Sequence, residues 1–337
     1  MKRILTIVLC CVLTLCTACF SEDRDVGSTG HSPRSTTPLI EMAAPEPAGS
    51  DSRHDVYDLS LTEGGLSVRF LGIHDLGMKN NDASLVRFPD GTTLLVDTGS
   101  KTTYEKLDEI LQKMDLHGMD AVLLTHFHED HVGGLEKLLA DYSIGKVFVP
   151  DFGGEWEGRA ADIVDMLRAH SIPVESLGRG SELVFSDDIT LEVLHPETPV
   201  IYPEGLGAGK PRTVFENNNS IVFRLVYGDT VFLFTGDIYQ ETEHDLAELY
   251  GDGLDSTVLK VPHHGLSTSS SFDFLYSVMP DIAVVMSGEP TESTLNSLRN
   301  RADTYVTVAY GTVLVVNDGN ECTVFTEHDD STNGIYG

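Results

Sequence analysis

The sequence predicts an α/β protein whose functional residues lie in loops at the ends of strands. Short apolar runs rich in β-formers alternate with helical segments, in two successive groups between about residues 66 and 325. Histidines and aspartates follow these apolar runs directly. They are Asp97, His126, His128, Asp130, His131, His195, Asp237, His263 and His264. Because loops at strand ends converge on one edge of such layers, we expect these side chains to form one site.

The first group of elements is predicted from apolar periodicity and from turn residues such as Pro89-Asp90-Gly91. The predicted strands are 66–72, 83–88, 92–96, 119–124, 144–149 and 189–194, and the predicted helices are 104–114, 135–139 and 159–170. The next segment, after His195, is rich in proline and glycine. Its length predicts a loop that covers the site.

The second group begins with a hairpin that turns at Tyr227-Gly228-Asp229. The predicted strands are 220–226, 230–234, 257–261, 282–286, 305–308, 312–316 and 323–325, and the predicted helix is 240–249. Asp237 follows one of these strands within Thr-Gly-Asp, and His263 and His264 follow another within Pro-His-His-Gly.

The densest group of chemically active side chains is an H-x-H-x-D-H pattern. His126, His128, Asp130 and His131 fall within six residues, after a buried strand and before Gly133-Gly134. Neutral imidazole and carboxylate are good ligands for zinc and similar divalent ions. The pattern therefore predicts a metal site, and the alternative is a solvated polar loop.

Length and charge limit the other function classes. The chain has 337 residues and a net charge of −31, which permits one large core and repels a phosphate backbone. We therefore expect no strong nucleic-acid-binding surface and a small-molecule or nucleotide-type substrate. The sequence leaves the oligomeric state open.

The first residues have the pattern of an export leader. Lys2 and Arg3 precede an apolar run that ends at Ala18-Cys19, which resembles a lipobox with Cys19 as the lipidated residue. We expect a leader over 1–19, a disordered linker over 20–58 and one folded domain over 59–330. The chain would then be a cell-surface lipoprotein anchored to the membrane through Cys19, or otherwise a secreted protein.

Together these motifs resemble the metallo-β-lactamase superfamily. Within it, three stretches resemble the hydrolase domain of the ComEC/Rec2-type competence proteins. They are residues 75–83, Asn217-Asn218-Asn219-Ser220 and Leu259-Lys260-Val261-Pro262-His263-His264-Gly265. The resemblance implies an αββα sandwich, in which two mixed sheets are flanked by helices, and a site for one or two metals.

The resemblance also implies roles for single residues. His126 and His128 would bind a first metal that His195 would complete, Asp130 and His131 would bind a second with His264, and Asp237 would bridge the two. His263 would be a proton donor or substrate contact, Asp130 would also orient the nucleophile, and Asp97 would hold an imidazole by a hydrogen bond. Alternatively, His263 and His264 exchange roles, His195 binds no metal, or Asp237 only caps a helix.

The expected chemistry is hydrolysis by water that two divalent ions activate, zinc first and manganese as the alternative. No other cofactor is expected. The resemblance favours a phosphodiester substrate, either a nucleic acid or a small phosphoester. The alternatives are a lactone or β-lactam hydrolase and a non-catalytic metal-binding module.

Overall fold

A computed structural model of the chain describes residues 55–62, 64–74, 80–186, 188–286 and 289–328. The predicted leader, Cys19 and residues 20–54 of the predicted linker lie outside the described residues, as do residues 75–79 of the competence-type motif. Val56 and Tyr57 are buried, and the carbonyl of Val56 accepts a hydrogen bond from Nε of Arg69 at 2.8 Å. Residues 56 and 57 therefore pack against the folded part.

The strands within the described residues are short and are distributed along the whole folded part. They are β1 (Leu66–Phe70), β2 (Ser84–Arg87), β3 (Thr93–Val96), β4 (Gly118–Met119), β5 (Ala121–Leu123), β6 (Ser143–Ile144), β7 (Val147–Pro150), β8 (Val174–Leu177), β9 (Glu182–Ser186), β10 (Ile189–His195), β11 (Val222–Tyr227), β12 (Thr230–Phe234), β13 (Val258–Lys260), β14 (Ile282–Val285), β15 (Asp303–Val306), β16 (Val313–Asn317) and β17 (Cys322–Thr326).

The helices connect most of the parallel strands. They are α1 (Tyr104–Lys113), α2 (Glu129–Val132), α3 (Leu135–Asp141), α4 (Arg159–Ala169), α5 (Lys210–Asn217), α6 (Gln240–Tyr250), α7 (Phe272–Val278), α8 (Glu292–Arg299) and α9 (Thr307–Tyr310). Short 3₁₀ turns occur at Leu59–Thr62, Gly251–Leu254 and Pro262–Gly265. None of the helices in the described part of the chain is long and apolar enough to cross a membrane.

Two mixed sheets organise these strands. The first has the order β17-β16-β1-β2-β3-β5-β7-β8, and the second has the order β15-β14-β13-β12-β11-β10-β9. Each sheet has an antiparallel part and a parallel part, and the parallel pairs include β3 with β5 and β12 with β13. Strands β4 and β6 form a separate small pair.

The two sheets pack face to face through an apolar core. Phe70 of the first sheet stacks on Phe234 of the second with ring centroids 5.9 Å apart, and Phe234 stacks on Phe223 at 4.6 Å. These rings are almost completely buried. Burial of each such side chain contributes about 1.5 to 3 kcal/mol, so the faces of the sheets are held together mainly by the hydrophobic effect.

Helices cover the outer faces of both sheets. Because side chains alternate along a strand, Leu94 and Val96 enter the core between the sheets while Leu95 packs on the other side with α1 and α3. On the second sheet, Leu233 and Leu259 pack outward against α6, α7 and α8. These layers confirm the predicted αββα sandwich.

Several elements differ from the prediction. The strand predicted over 305–308 ends at Val306, where α9 begins, and β8, β9, α7 and α8 were not predicted. The segment after His195 contains helix α5, where the sequence predicted only a loop. Its low apolar content and Pro211 obscured the helical pattern. Proline is compatible with the first turn of a helix because the amide it lacks has no partner there. This helix carries Glu216 and Asn217 to the candidate site.

Candidate metal centre

The candidate site lies where parallel strands of both sheets end. Asp97 follows β3 and the H-x-H-x-D-H segment follows β5, while Asp237 follows β12 and His264 follows β13. The amide of Ile221 donates to the carbonyl of Thr125 at 2.8 Å, which joins the loops of the two sheets at this edge. The fold therefore brings together residues separated by almost half of the chain.

Glycines let the loops approach closely enough to form the site. Gly236 has φ +50°, and a Cβ atom there would lie 2.6 Å from Cβ of Ser220. A Cβ atom at Gly134 would lie 2.3 Å from the carbonyl oxygen of Thr98. A larger residue at either position would displace the loop that carries Asp237 or the one that carries His131.

One part of the site contains His126 and His128. Nε2 of His126 lies 3.0 Å from Nδ1 of His128 and 4.0 Å from Oδ2 of Asp237. Nε2 of His128 lies 3.1 Å from Oε2 of Glu216 and donates to that carboxylate. This bond leaves the lone pair of His128 on Nδ1, where it faces the ring of His126.

The second part contains Asp130, His131, Asp237 and His264. Oδ2 of Asp237 lies 3.2 Å from Nε2 of His131 and 3.2 Å from Nε2 of His264, which in turn lies 3.3 Å from Oδ2 of Asp130. All four residues offer ligand atoms within 4.8 Å of one another. The sequence prediction that these side chains converge therefore agrees with the geometry.

Hydrogen bonds on the far side of two imidazoles fix their tautomers. Nδ1 of His131 donates to Oδ2 of Asp97 at 2.8 Å, as predicted for Asp97. Nδ1 of His264 donates to the carbonyl of Met286 at 3.0 Å. Each bond leaves the Nε2 lone pair directed at Asp237, which is the usual arrangement of metal-binding histidines.

The buried polar atoms around Asp237 are suited to bind a cation. Nε2 of His131, Nε2 of His264 and Oδ1 of Asp237 are buried and have no hydrogen-bond partner among the described residues. Burial lowers the pKa of both imidazoles, but the surrounding carboxylates together raise it by more, so the pKa of each lies well above its ordinary value. These carboxylates are Asp237 and Asp97 at His131, and Asp237, Asp82 and Asp130 at His264. Positive charge is therefore favoured between these groups, supplied by protons or by a metal ion.

Two further site residues are Asp82 and Lys260, to which the sequence analysis gave no role. Nζ of Lys260 pairs with the Asp82 carboxylate, lies 3.8 Å from Oδ1 of Asp237 and donates to the carbonyl of Gly236 at 3.2 Å. Burial disfavours the ammonium, but these carboxylates outweigh it and raise the Lys260 pKa. A lysine inside the apolar run Val258-Leu259-Lys260-Val261 was the available signal.

His195 does not join this cluster. Its Nε2 donates to the carbonyl of Asn218 at 2.7 Å, and no contact with the other candidate ligands occurs among the described residues. Burial lowers the His195 pKa to about 4. The carbonyl bond gives this strand-end histidine a structural partner in place of the predicted first metal.

His263 lies at the open side of the site. Its ring stacks on Tyr239, its Nδ1 contacts the hydroxyl of Thr268, and its Nε2 lies 3.9 Å from Oδ2 of Asp237. The buried amide of Asn217 lies 3.5 Å from the same Nε2. His263 is 13% exposed whereas His264 is 1% exposed, so His263 is the better placed of the two to meet a substrate.

The family relationship follows from the larger part of the chain. Residues 76–289, which hold every candidate ligand, match the family described as the metallo-beta-lactamase superfamily. The chain belongs to this superfamily. Its members are generally metal-dependent hydrolases, and the His and Asp clusters of this metallo-β-lactamase fold could bind two metal ions.

Similarity to characterised relatives confirms the competence-type resemblance. The chain is 26% identical to ComE operon protein 3 of Bacillus subtilis over 58% of its length, and 29% identical to competence protein ComA of Neisseria gonorrhoeae over 61%. It is 35% identical over 36% of its length to ribonuclease Z of Methanopyrus kandleri. These matches span only 25%, 26% and 43% of the three relatives.

Proposed function

We propose that this superfamily member is an exported hydrolase that holds two divalent cations, zinc or manganese, and cleaves phosphodiesters. The observation that carries the proposal is the convergence of acceptor atoms on Oδ2 of Asp237. The Nε2 atoms of His131 and His264 each lie 3.2 Å from this oxygen, and their other nitrogens already donate elsewhere. Lone pairs that face each other at this distance repel unless a proton or a metal ion lies between them, and we infer that a metal ion takes this position.

The residues divide into two sets of ligands around one shared carboxylate. His126 and His128 would hold the first ion, and Asp130, His131 and His264 the second. Asp237 lies within 4.0 Å of His126 and 3.2 Å of His131, which suits a bridge between the sets. Bound divalent cations lower the pKa of coordinated water and so supply hydroxide near neutral pH.

The remaining side chains would bind the substrate and move its protons. Asp130 is the most exposed of the proposed carboxylate ligands, with 25% of its side chain exposed, so it can also orient the attacking water. The Asn217 amide can donate to a non-bridging oxygen of the substrate. Nε2 of His263 would donate a proton to the leaving oxygen, and solvent would replace it.

Three observations support a phosphodiester over a lactone or β-lactam. The competence-type stretches occur in this chain, and it resembles a ribonuclease over part of its length. The buried ammonium of Lys260 offsets negative charge of Asp82 and Asp237 beneath the ligands, which lessens the repulsion of an anionic substrate. The acidic surface favours small phosphodiesters over long nucleic acids.

The proposal of export rests on a different feature. The first residues form a basic, apolar leader that ends at a cysteine, as export leaders do.

A substrate panel tests this proposal. The full chain, loaded with zinc or with manganese, should hydrolyse bis(p-nitrophenyl) phosphate or a dinucleotide and leave a chromogenic β-lactam and a lactone intact. Asp237→Asn should lower the rate by at least roughly 10²-fold, because it removes the shared ligand. The matched variant Asp115→Asn changes an exposed carboxylate and should retain full activity. Cleavage of only the β-lactam or lactone would overturn the proposal.

A further inference from the structure

A cavity of about 500 Å³ lies between the loop after β7 and the loop after β10. We call it the aromatic cavity, after the rings of Phe152, Trp156 and Tyr202 that line it. Phe152 is buried, whereas Trp156 and Tyr202 are partly exposed. The cavity is large enough for a small organic group.

The rings form one connected aromatic surface. Phe152 stacks on Tyr202 with centroids 4.8 Å apart and planes at 21°, and it contacts Trp156 at 5.5 Å. The ring of Phe215 in α5 contacts the ring of Tyr202, with centroids 5.4 Å apart. These contacts fix the ring orientations, so a ligand would meet a preformed surface.

The two loops that carry the rings are also bound to each other. The amide of Val200 donates to the carbonyl of Asp151 at 2.7 Å. Gly153 has φ +65°, and a Cβ atom there would lie 3.2 Å from Cβ of Pro199. The hydrogen bond and the close approach of the backbones hold the two loops, and so the walls of the cavity, in a fixed relative position.

A chain of contacts joins the aromatic cavity to the candidate metal centre. The guanidinium of Arg212 lies 5.4 Å from the ring centre of Tyr202 and pairs with Glu216 at 3.6 Å. Glu216 in turn lies 3.1 Å from Nε2 of His128. Phe127, between His126 and His128, contacts Trp156 at 6.0 Å. The cavity is therefore placed to hold a part of the substrate beside the group that reacts.

The charges around the cavity select the kind of ligand. Its lining includes the carboxylate of Glu155, that of Glu157, which pairs with Arg212 at 2.9 Å, and, among the described residues, no lysine or arginine. Aromatic faces also carry negative potential and attract cations. Arg212 already occupies such a position over Tyr202. The carboxylate of Glu155 and the faces of the rings would repel a phosphate or an anionic nucleotide.

We propose that the aromatic cavity binds an organic cation, a quaternary or tertiary ammonium group, as the head of the phosphoester substrate. This inference rests on the proposed phosphodiesterase activity for its catalytic meaning, and the binding itself does not depend on that activity. The three rings would surround the alkyl groups of the ammonium, and the exposed carboxylate of Glu155 would balance its charge.

The single tryptophan of the chain is Trp156, so its fluorescence reports directly on the cavity. The full chain is titrated with choline and with 3,3-dimethylbutan-1-ol, its uncharged carbon analogue. Choline should change the fluorescence and bind at least roughly tenfold more tightly than the neutral alcohol. Equal binding of both, no response to either, or tighter binding of a nucleoside than of choline would overturn the proposal.

Calorimetry on variants separates the cavity from the metal centre. Glu155→Gln should weaken choline binding at least roughly threefold, and Tyr202→Ala should weaken it at least roughly tenfold. Glu248→Gln makes the same charge change at an exposed site on α6 and should not alter it. Unchanged affinity in both cavity variants would contradict the proposal. Choline binding without phosphodiester cleavage would refute only the proposed activity.

Discussion

Nδ1 of His131 donates a hydrogen bond of 2.8 Å to Oδ2 of Asp97, and both side chains are completely buried. Asp97 also accepts bonds from the amide and hydroxyl of Thr125 at 2.8 and 2.7 Å. The carboxylate therefore holds the ring of a candidate ligand and the loop that carries His126 in one arrangement.

The first prediction follows from this bond. Asp97→Asn should lower the affinity for zinc about 10- to 100-fold, because the amide no longer orients His131 or increases its basicity. Competition with a chelator of known affinity measures the change. Asp115→Asn serves as the matched control and should bind zinc as the wild type does. An affinity that is unchanged in Asp97→Asn would show that His131 binds no metal.

The second prediction concerns the buried ammonium of Lys260. Lys260→Met should destabilise the metal-free protein by about 3 to 5 kcal/mol, because Asp82 and Asp237 lose their cationic partner in a buried site. Bound metal should recover part of this loss by supplying positive charge. Urea unfolding with and without zinc measures both effects. Addition of Asp82→Asn to Lys260→Met should restore stability; a further loss would contradict the ion pair.

The third prediction is a pH dependence that arises from His195. Burial lowers its pKa to about 4 from an unfolded value of 6.5, so the unfolded chain binds more protons between these pH values. The contribution of His195 to stability is therefore complete above pH 6.5 and is lost as the pH falls to 4. The loss is roughly 3 kcal/mol.

His195→Gln tests this assignment in the metal-free protein. Unfolding free energies measured from pH 7 to pH 4 should fall less steeply in the variant than in the wild type. Its metal stoichiometry should equal that of the wild type, because the ring bonds to the carbonyl of Asn218. Loss of one metal ion in the variant would instead restore His195 as a ligand.

The fourth prediction concerns Cys322, the free cysteine of the described residues. Burial, with the nearby carboxylates of Asp281 and Asp318, raises its pKa to about 11. At pH 8 its reaction with a thiol reagent should be at least roughly 100-fold slower in the native protein than in urea, because the thiolate is the reactive form. Peptide-resolved mass spectrometry follows this cysteine alone. Equal rates would show that it is exposed.

Local patterns in the sequence predicted much of the fold. Buried strands such as β3 and β5 are continuous apolar runs, and their burial on both faces follows from that composition. Helix α5 was missed because its residues 210–217 contain one proline and few apolar residues. It is held by contacts such as that of Glu216 with His128, which no local pattern reveals.

In the candidate site, too, some residues were predicted from local sequence patterns and others depend on contacts between distant parts of the chain. The H-x-H-x-D-H spacing, Asp237 and His264 were predicted because each follows an apolar run, and the fold brings them together. Asp82 and Lys260 were not assigned because their importance lies in a pairing between positions separated by most of the folded part. His195 was predicted from its strand-end position, which does not determine whether the ring meets a metal or a carbonyl group, and in the structure it meets the carbonyl of Asn218.

The central claim is that Asp237 joins two sets of ligands around two cations. Native mass spectrometry of the full chain, loaded with zinc or with manganese, tests it most directly, with Asp237→Asn beside the wild type. The wild type should carry two ions per chain, and the variant should carry one or none. A wild-type chain without ions under both loading conditions, or a variant that keeps both, would contradict the claim.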